Sequence, residues 1–185
     1  MTARAGPASR EFAGSNATEN WRYNVASDAD REAFLANFPP EANGYRDPPE
    51  GFEPHLSAGG YSRHNGPFYQ KIVGHENYRG FYVLERHCNS MGIAHGGLLV
   101  SFADALLGMA VYRKTRLPPI TIRLTTDFVA AARRGEWVEG CGWIVREEHG
   151  VVYVNADIYV ADRAVLAAQG VFKGSEDPAM QLPSG

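Results

Sequence analysis

The second half of the chain alternates apolar and polar positions with a period of two. Val152, Val154, Ala156, Ile158 and Val160 fall on one side, and Tyr153, Asn155, Asp157 and Tyr159 on the other. That is the pattern of a strand with one face on a core. The same reading predicts strands over Ile120 to Val129, Trp137 to Arg146, Val151 to Ala161 and Arg163 to Lys173. Pro118-Pro119, Arg133-Arg134-Gly135, Glu148-His149-Gly150 and Asp162 punctuate them. In the first, Ile120, Ile122, Leu124 and Phe128 share a face opposite Thr121, Arg123, Thr125 and Asp127. In the second, Gly140 and Gly142 share a side that a bulky element can approach closely. Upstream, Phe68 to Val73 and Gly80 to His87 are short β-rich runs around a polar Gly74 to Arg79 turn. Between the two groups, Leu98, Leu99, Phe102, Leu106, Met109 and Ala110 recur at helical spacing over Gly96 to Lys114. Two strands, one long helix and a four-stranded antiparallel meander predict an α+β layer fold. The helix is apolar around much of its circumference, so the sheet is expected to wrap it.

Upstream of Pro67 the pattern fades. Residues 1 to about 20 are small and polar and read as disordered. Ser27 to Phe38 reads as a short helix, capped by Ser27, striped by Phe34, Leu35 and Phe38, and stopped by Pro39-Pro40. From there to Asn65, Pro48, Pro49, Pro54, Gly51, Gly59 and Gly60 mark an irregular arm with too few apolar residues for its own core. The chain thus divides into an extension over 1–65, a folded domain over 66–174 and a polar tail over 175–185.

Composition narrows the classes. With 185 residues, 44% hydrophobic, the chain can bury a core without a disulfide or metal staple. Lys and Arg number 18 against 21 Asp and Glu, a net charge of −3 that argues against a nucleic-acid partner held by bulk positive charge. The first residues hold no apolar run for a signal-peptide core. Gly97 to Val111, the most apolar stretch, is interrupted by Asp104 and reads as too short for a bilayer. A cytoplasmic protein with no membrane partner is expected. Cys88 and Cys141 are too few for a disulfide scaffold.

Chemistry concentrates at one place. The run Asn89-Ser90-Met91-Gly92-Ile93-Ala94-His95-Gly96-Gly97 leads into the helix, and Asp104 lies within it. Unpaired N–H groups at a helix start, aided by the dipole, suit a negative charge or a polarised carbonyl. Glycine lets a substrate approach the backbone. Asp104, between Ala103 and Ala105, is a carboxylate that is costly to bury unless paired or functional. Other signals are weaker. His87 and Cys88 are adjacent on an expected strand and would face opposite ways, which leaves Cys88 inert. His55, His64, His75 and His149 show no metal-ligand spacing. Arg133-Arg134 in a turn, and Arg113, Lys114 and Arg116 after the helix, read as solvated clusters that could also meet phosphates.

The pattern Asn-x-x-Gly-x-x-His-Gly-Gly-x6-Asp, from Asn89 to Asp104, resembles the hotdog-fold acyl-CoA thioesterases of the phenylacetate-pathway type, within the 4-hydroxybenzoyl-CoA thioesterase superfamily. The likeness extends over about Pro67 to Gly174 and implies an antiparallel sheet wrapped around a long central helix. It implies hydrolysis of a coenzyme A thioester by water, with no metal or redox cofactor. By the same resemblance, the Gly96 N–H polarises the thioester carbonyl. Asn89 matches a side chain that holds the carbonyl region or the attacking water. Asp104 matches a carboxylate acting as nucleophile or as general base. Thr121 falls where a Ser or Thr often lies beside that carboxylate, and His95 matches a histidine that shapes the loop. Gly97, Arg133 and Arg134 fall to the substrate side, the arginines as candidates for coenzyme A phosphates.

Spacing adds a constraint. Gly96 and Asp104 are eight residues apart, roughly 12 Å along one helix, whereas a carboxylate must come within about 3–3.5 Å of the reacting carbon or its water. Two antiparallel helices from a symmetric pair can bring Gly96 of one to Asp104 of the other, so a homodimer or dimer of dimers is expected. The competing readings are a non-catalytic acyl-CoA-binding hotdog domain and a hotdog hydratase or dehydratase. A buried carboxylate is superfluous in the first, and the Asp and His pair of the second is not evident.

Overall fold

The computed structural model describes residues 47–55 and 59–177, together with Ala29 and Glu32. The helix expected over Ser27 to Phe38 lies outside the described residues, except that Ala29 and Glu32 are both helical. In chain order the elements are β1 (Glu53–Pro54), α1 (Gly60–Asn65), β2 (Tyr69–Val73), β3 (Glu76–Tyr82), a 3-10 turn (Glu85–His87) and α2 (Gly96–Thr115). The strands β4 (Pro119–Phe128), β5 (Trp137–Glu148), β6 (Val151–Val160) and β7 (Arg163–Gly174) follow. All seven strands join one antiparallel sheet in the order β1-β2-β3-β5-β6-β7-β4. The sheet wraps the central helix as the hotdog fold requires.

Three expectations need correction. The last four strands are not a simple meander. β5, β6 and β7 follow one another, but β4 pairs with β7 at the far edge and β5 pairs with β3. The segment after β4 cannot close a hairpin because it is tied to the motif loop. Ala94 N–H donates to the Ala132 carbonyl at 2.8 Å, and Ile93 bridges Arg133. Second, β3 begins at Glu76 rather than Gly80, and the turn before it shrinks to Gly74, at φ 58°, and His75. Backbone ladder bonds are indifferent to the polar side chains that suggested a longer turn, and Asn77 and Arg79 are buried. The strand also ends at Tyr82, and Glu85–His87 forms the 3-10 turn, where Leu84 N–H donates to His87 Nδ1 at 3.1 Å.

The third correction concerns β4. The β4–β7 register passes from Thr121↔Phe172 to Arg123↔Val171, which leaves Ile122 as an extra, bulged residue that is 55% exposed. One inserted residue reverses the alternation beyond it. Thr121, paired with the buried Phe172, and Leu124, packed against the core, therefore share the helix-facing side. Ile122 does not share a face with Leu124.

Leu98, Leu99, Phe102, Ala103, Leu106, Leu107 and Val111 of α2 are buried against Val138, Val152, Val154, Ile158, Leu166 and Phe172 of the sheet. Close approach is set by glycine. A Cβ on Gly142 would lie 2.7 Å from the Leu106 carbonyl oxygen, and one on Gly140 2.9 Å from Leu106 Cδ1. On the other side of the helix axis, a Cβ on Gly170 would lie 3.0 Å from Leu107 Cδ1. α2 has 20 residues and is apolar enough to cross a bilayer by length and composition, so the expectation that this stretch is too short does not hold. Its place against the sheet accounts for its apolarity. The opposite side of α2, with Val100, Ser101, Asp104, Ala105, Met109 and Tyr112, is only half-buried.

Before the domain proper, Glu53–Pro54 pairs with β2, and Phe52 packs edge-on against Trp137, ring centroids 5.0 Å apart. Tyr69 lies in the same aromatic group, its ring centroid 5.7 Å from that of Trp137. Gly142→Ala should cost roughly 1–3 kcal/mol through overpacking against Leu106. Gly60→Ala, with no atom within 4 Å of its Cβ, should leave stability unchanged or slightly raised. Urea midpoints of the two variants check this, and equal midpoints would disprove the close approach.

Candidate active site

The motif loop is held from three sides. Asn89 N–H donates to the Ile93 carbonyl at 2.9 Å, Cys88 bridges Ala94, and His95 N–H donates to the His87 carbonyl at 2.8 Å. Asn89 closes the turn: its Oδ1 accepts from Met91 N–H at 2.9 Å and Ile93 N–H at 3.5 Å. Its Nδ2 donates to no described residue. Asn89 therefore shapes the loop through one end of its amide and leaves the other as a donor.

His95 is the N-cap of α2. Its Nδ1 accepts the Gly97 N–H at 2.9 Å, and its carbonyl accepts from Leu98 and Leu99. This cap holds the first turn of α2, and losing a cap of this kind costs about 1 kcal/mol. The consequence for Gly96 is specific. The N–H groups of residues 97, 98 and 99 are all occupied, while the Gly96 N–H meets no acceptor among the described residues. One donor of the helix start is left over. A Cβ on Gly96 would sit 3.2 Å from the Phe128 ring, and one on Gly97 3.0 Å from His95 Nδ1. Phe128, 57% exposed, thus stands beside the free donor. Its apolar character assigned it only to a strand face, and nothing in the local pattern tied it to Gly96.

Asp104 lies on the uncovered side of α2 and is half-buried, not enclosed. Thr121 Oγ1 donates to its Oδ1 at 2.8 Å, and Oδ2 accepts no hydrogen bond among the described residues. The bulge at Ile122 makes this pairing compatible with Leu124 in the core. The structure therefore brings together Asp104 with Thr121, and Asn89, His95, Gly96 and Gly97 with one another. It does not bring the two groups together within one chain, since eight helical residues separate Gly96 from Asp104 by about 12 Å.

Arg133 joins the second group through the Ile93 bridge, and its backbone N–H donates to Glu136 Oε2. Glu136 also receives the Arg163 guanidinium through both oxygens at 2.9 Å. Its carboxyl is held below the usual range, these donors and the nearby cations outweighing desolvation, which is the largest contribution and pushes the other way. This clamp, unforeseen in the sequence, fixes the turn that presents Arg133. Arg134 pairs with Glu85 at 3.1 Å. Cys88 bonds to the Leu84 carbonyl, not to His87, and burial raises its pKa. Arg113, Lys114 and Arg116 lie at or beyond the far end of α2, away from the loop.

A sheet curled round a central helix, with the motif loop at its start and a threonine-bound carboxylate midway, defines a hotdog fold. Residues 91–167 match the family model described as the thioesterase superfamily. A Pseudomonas aeruginosa protein provisionally named as an esterase, PA0474, is 34% identical over 127 residues, covering 67% of this chain and 95% of that protein. The chain belongs to the thioesterase superfamily. Mouse acyl-coenzyme A thioesterase 13 is 26% identical over 89 residues, 48% of this chain and 64% of the relative. Among solved structures, the conserved protein PA5202 of Pseudomonas aeruginosa superposes with a TM-score of 0.58 at 22% identity. That match covers 65% of this chain and 95% of the other and speaks for the fold alone.

His87, whose carbonyl anchors His95, is buried, and that burial, followed by the Arg86 charge, lowers its pKa from 6.5 to about 4. Folding therefore disfavours the protonated ring. The stability is fully present above about pH 6.5 and is lost as pH falls toward the folded value near 4. His55, lowered to about 3 by burial and then Arg79, acts in the same direction. His87→Asn, which keeps an acceptor for Leu84, should flatten part of the loss in urea midpoint between about pH 7 and about pH 5. Identical slopes for the two proteins would rule out His87 as a contributor.

Proposed function

We propose that this protein hydrolyses an acyl-CoA thioester at a site shared by two copies of the chain. The observation that carries the reading is the unfilled Gly96 N–H at the start of the helix that carries the Asp104–Thr121 pair. The likeness to an acyl-coenzyme A thioesterase supports the substrate class. With two helices antiparallel across a two-fold axis, each Gly96 stands opposite the partner's Asp104, and the half-buried side of α2 is covered.

In that arrangement the thioester carbonyl oxygen accepts from the Gly96 N–H. Asp104 Oδ2 takes a proton from water as the water oxygen attacks the carbonyl carbon. Thr121 holds Oδ1 and so orients the carboxylate. The N–H stabilises the charge that grows on the oxygen, the larger part of the catalytic effect in such sites. Collapse breaks the C–S bond, and the proton leaves on the thiol of coenzyme A. The free Nδ2 of Asn89 orients the carbonyl or the water, and Gly97 keeps the approach flat. Arg133, exposed beside the loop, meets the phosphates of coenzyme A, with Arg134 as its neighbour once drawn from Glu85.

Asp104→Asn should lower kcat by about 10²–10⁴ with acyl-CoA binding retained. If Asp104 instead attacks the carbonyl directly, the thiolate of coenzyme A leaves an acyl–aspartyl anhydride, and water attacking its aspartyl carbonyl puts ¹⁸O from labelled water into Asp104 in a single turnover, whereas the base route labels only the released acid. A wild type that turns over no thioester leaves a binding protein.

Gly96→Pro removes the N–H and puts the ring Cδ in its place. Proline suits the first position of a helix, and the preceding His95, at φ −63° and ψ 132°, already has the extended backbone that proline demands of its neighbour. Turnover should fall about 10²–10³-fold, while Gly96→Ala, which makes the same contact with Phe128, keeps most of it. Mixing the Asp104→Asn and Gly96→Pro chains should restore about a quarter of wild-type activity, because each mixed dimer holds one intact site. No restoration after verified subunit exchange would place the whole site in one chain.

A further inference from the structure

α1, immediately before β2, touches the catalytic helix at a single defined point. Tyr61 Oη donates to Ser101 Oγ at 2.8 Å, and Ser101 Oγ in turn donates to the Gly97 carbonyl at 2.8 Å. On α2, Gly97, Ser101, Asp104 and Gly108 follow one another at spacings of four, three and four residues, so they form one stripe on the helix surface. Ser101 is five residues beyond Gly96 and three before Asp104, roughly 7.5 Å and 4.5 Å along the axis. The phenol of Tyr61 is thus moored on the face that carries the reacting groups, between them. Its hydroxyl is fixed, yet the residue is 57% exposed. A tyrosine whose task was to fasten α1 would bury its ring. The chain just beyond α1 has anchors of its own: the Arg86 guanidinium donates to the Gly66 carbonyl, and Phe68 stacks on Phe102 at 6.0 Å.

We propose that Tyr61 is a specificity-determining residue, its ring forming the wall that limits how long an acyl group the site accepts. The proposal rests on the acyl-thioester reading above. An acyl chain whose carbonyl lies at the Gly96 N–H and that runs along the α2 face past Ser101 meets an apolar ring fixed at its far end, which blocks extension and offers a flat face to a short or aromatic acyl group. One methylene more or less against such a wall is worth about tenfold or more in discrimination.

The test uses stable S-alkyl-CoA thioethers of increasing chain length, with binding read by calorimetry, beside kcat/KM for the matching acyl-CoAs. Tyr61→Ala should raise the affinity ratio of dodecyl to ethyl ligand by about tenfold or more. Tyr61→Phe, which keeps the ring and loses its mooring, should shift the ratio in the same direction by less. A purely structural role would lower the melting temperature and leave the ratio unmoved. A change below about threefold in folded Tyr61→Ala overturns the proposal, and Tyr61→Leu carries the same test if the alanine variant does not fold. Length-independent binding with intact turnover defeats the wall and spares the thioesterase reading. A wild type that neither binds thioethers nor cleaves thioesters defeats both.

Discussion

The closeness of α2 to its sheet is the constraint from which the remaining geometry follows. At Gly140, Gly142 and Gly170 the strands have no side chain where Leu106 and Leu107 press in. A helix so near the sheet seats its large residues deeply on one side, and the curl of the sheet around it leaves the other side open. The open side carries Ser101, Asp104 and Ala105 because of helical phase alone. Had the helix been lifted by a methyl group at Gly142, the edge strand β4 would no longer lie where Thr121 reaches Asp104. The 2.8 Å bond between them is thus a consequence of packing some distance away.

A second dependency runs through the helix start. His95 turns its own side chain back to cap Gly97, its carbonyl takes Leu98 and Leu99, and the chain leaves one N–H unused. Helix ends normally lose such donors to water or to caps. Here the cap accounts for all but that of Gly96, a residue with no side chain to cover it. The 3-10 turn contributes from below, since the His87 carbonyl holds His95 in place and a neutral His87 ring accepts from Leu84. The backbone donor left at Gly96 is therefore placed by groups of its neighbours, the His95 cap and the His87 carbonyl.

Much of this was legible in the sequence, and the division is physical. The motif from Asn89 to Asp104 is local, and capping, glycine approach and helical phase act within a few residues, so the helix start and its histidine could be read directly. The alternation in β6 and the glycines of β5 were legible for the same reason. Pairing of β4 with β7 was not, because register between distant strands depends on the whole sheet and on the tie between Ala94 and Ala132. The bulge at Ile122 was invisible because an apolar residue at an even position fits the alternation it breaks. Phe128 and Glu136 belong to the same class: their partners, Gly96 and Arg163, are distant along the chain.

The half-buried side of α2 joins these points. A carboxylate on an uncovered helix face pays little for its charge, and a lone N–H at a helix end loses little by meeting water. Neither group is strongly reactive while solvated. In the proposed dimer, covering that face excludes water from both at once, which strengthens their electrostatic interactions with a bound thioester. Eight residues of spacing keep the two groups of one helix apart, so the step that dries them is also the step that brings complementary groups together. In the proposed dimer, association of the chains and assembly of the site are one event, and the open face of α2 is what the partner helix covers.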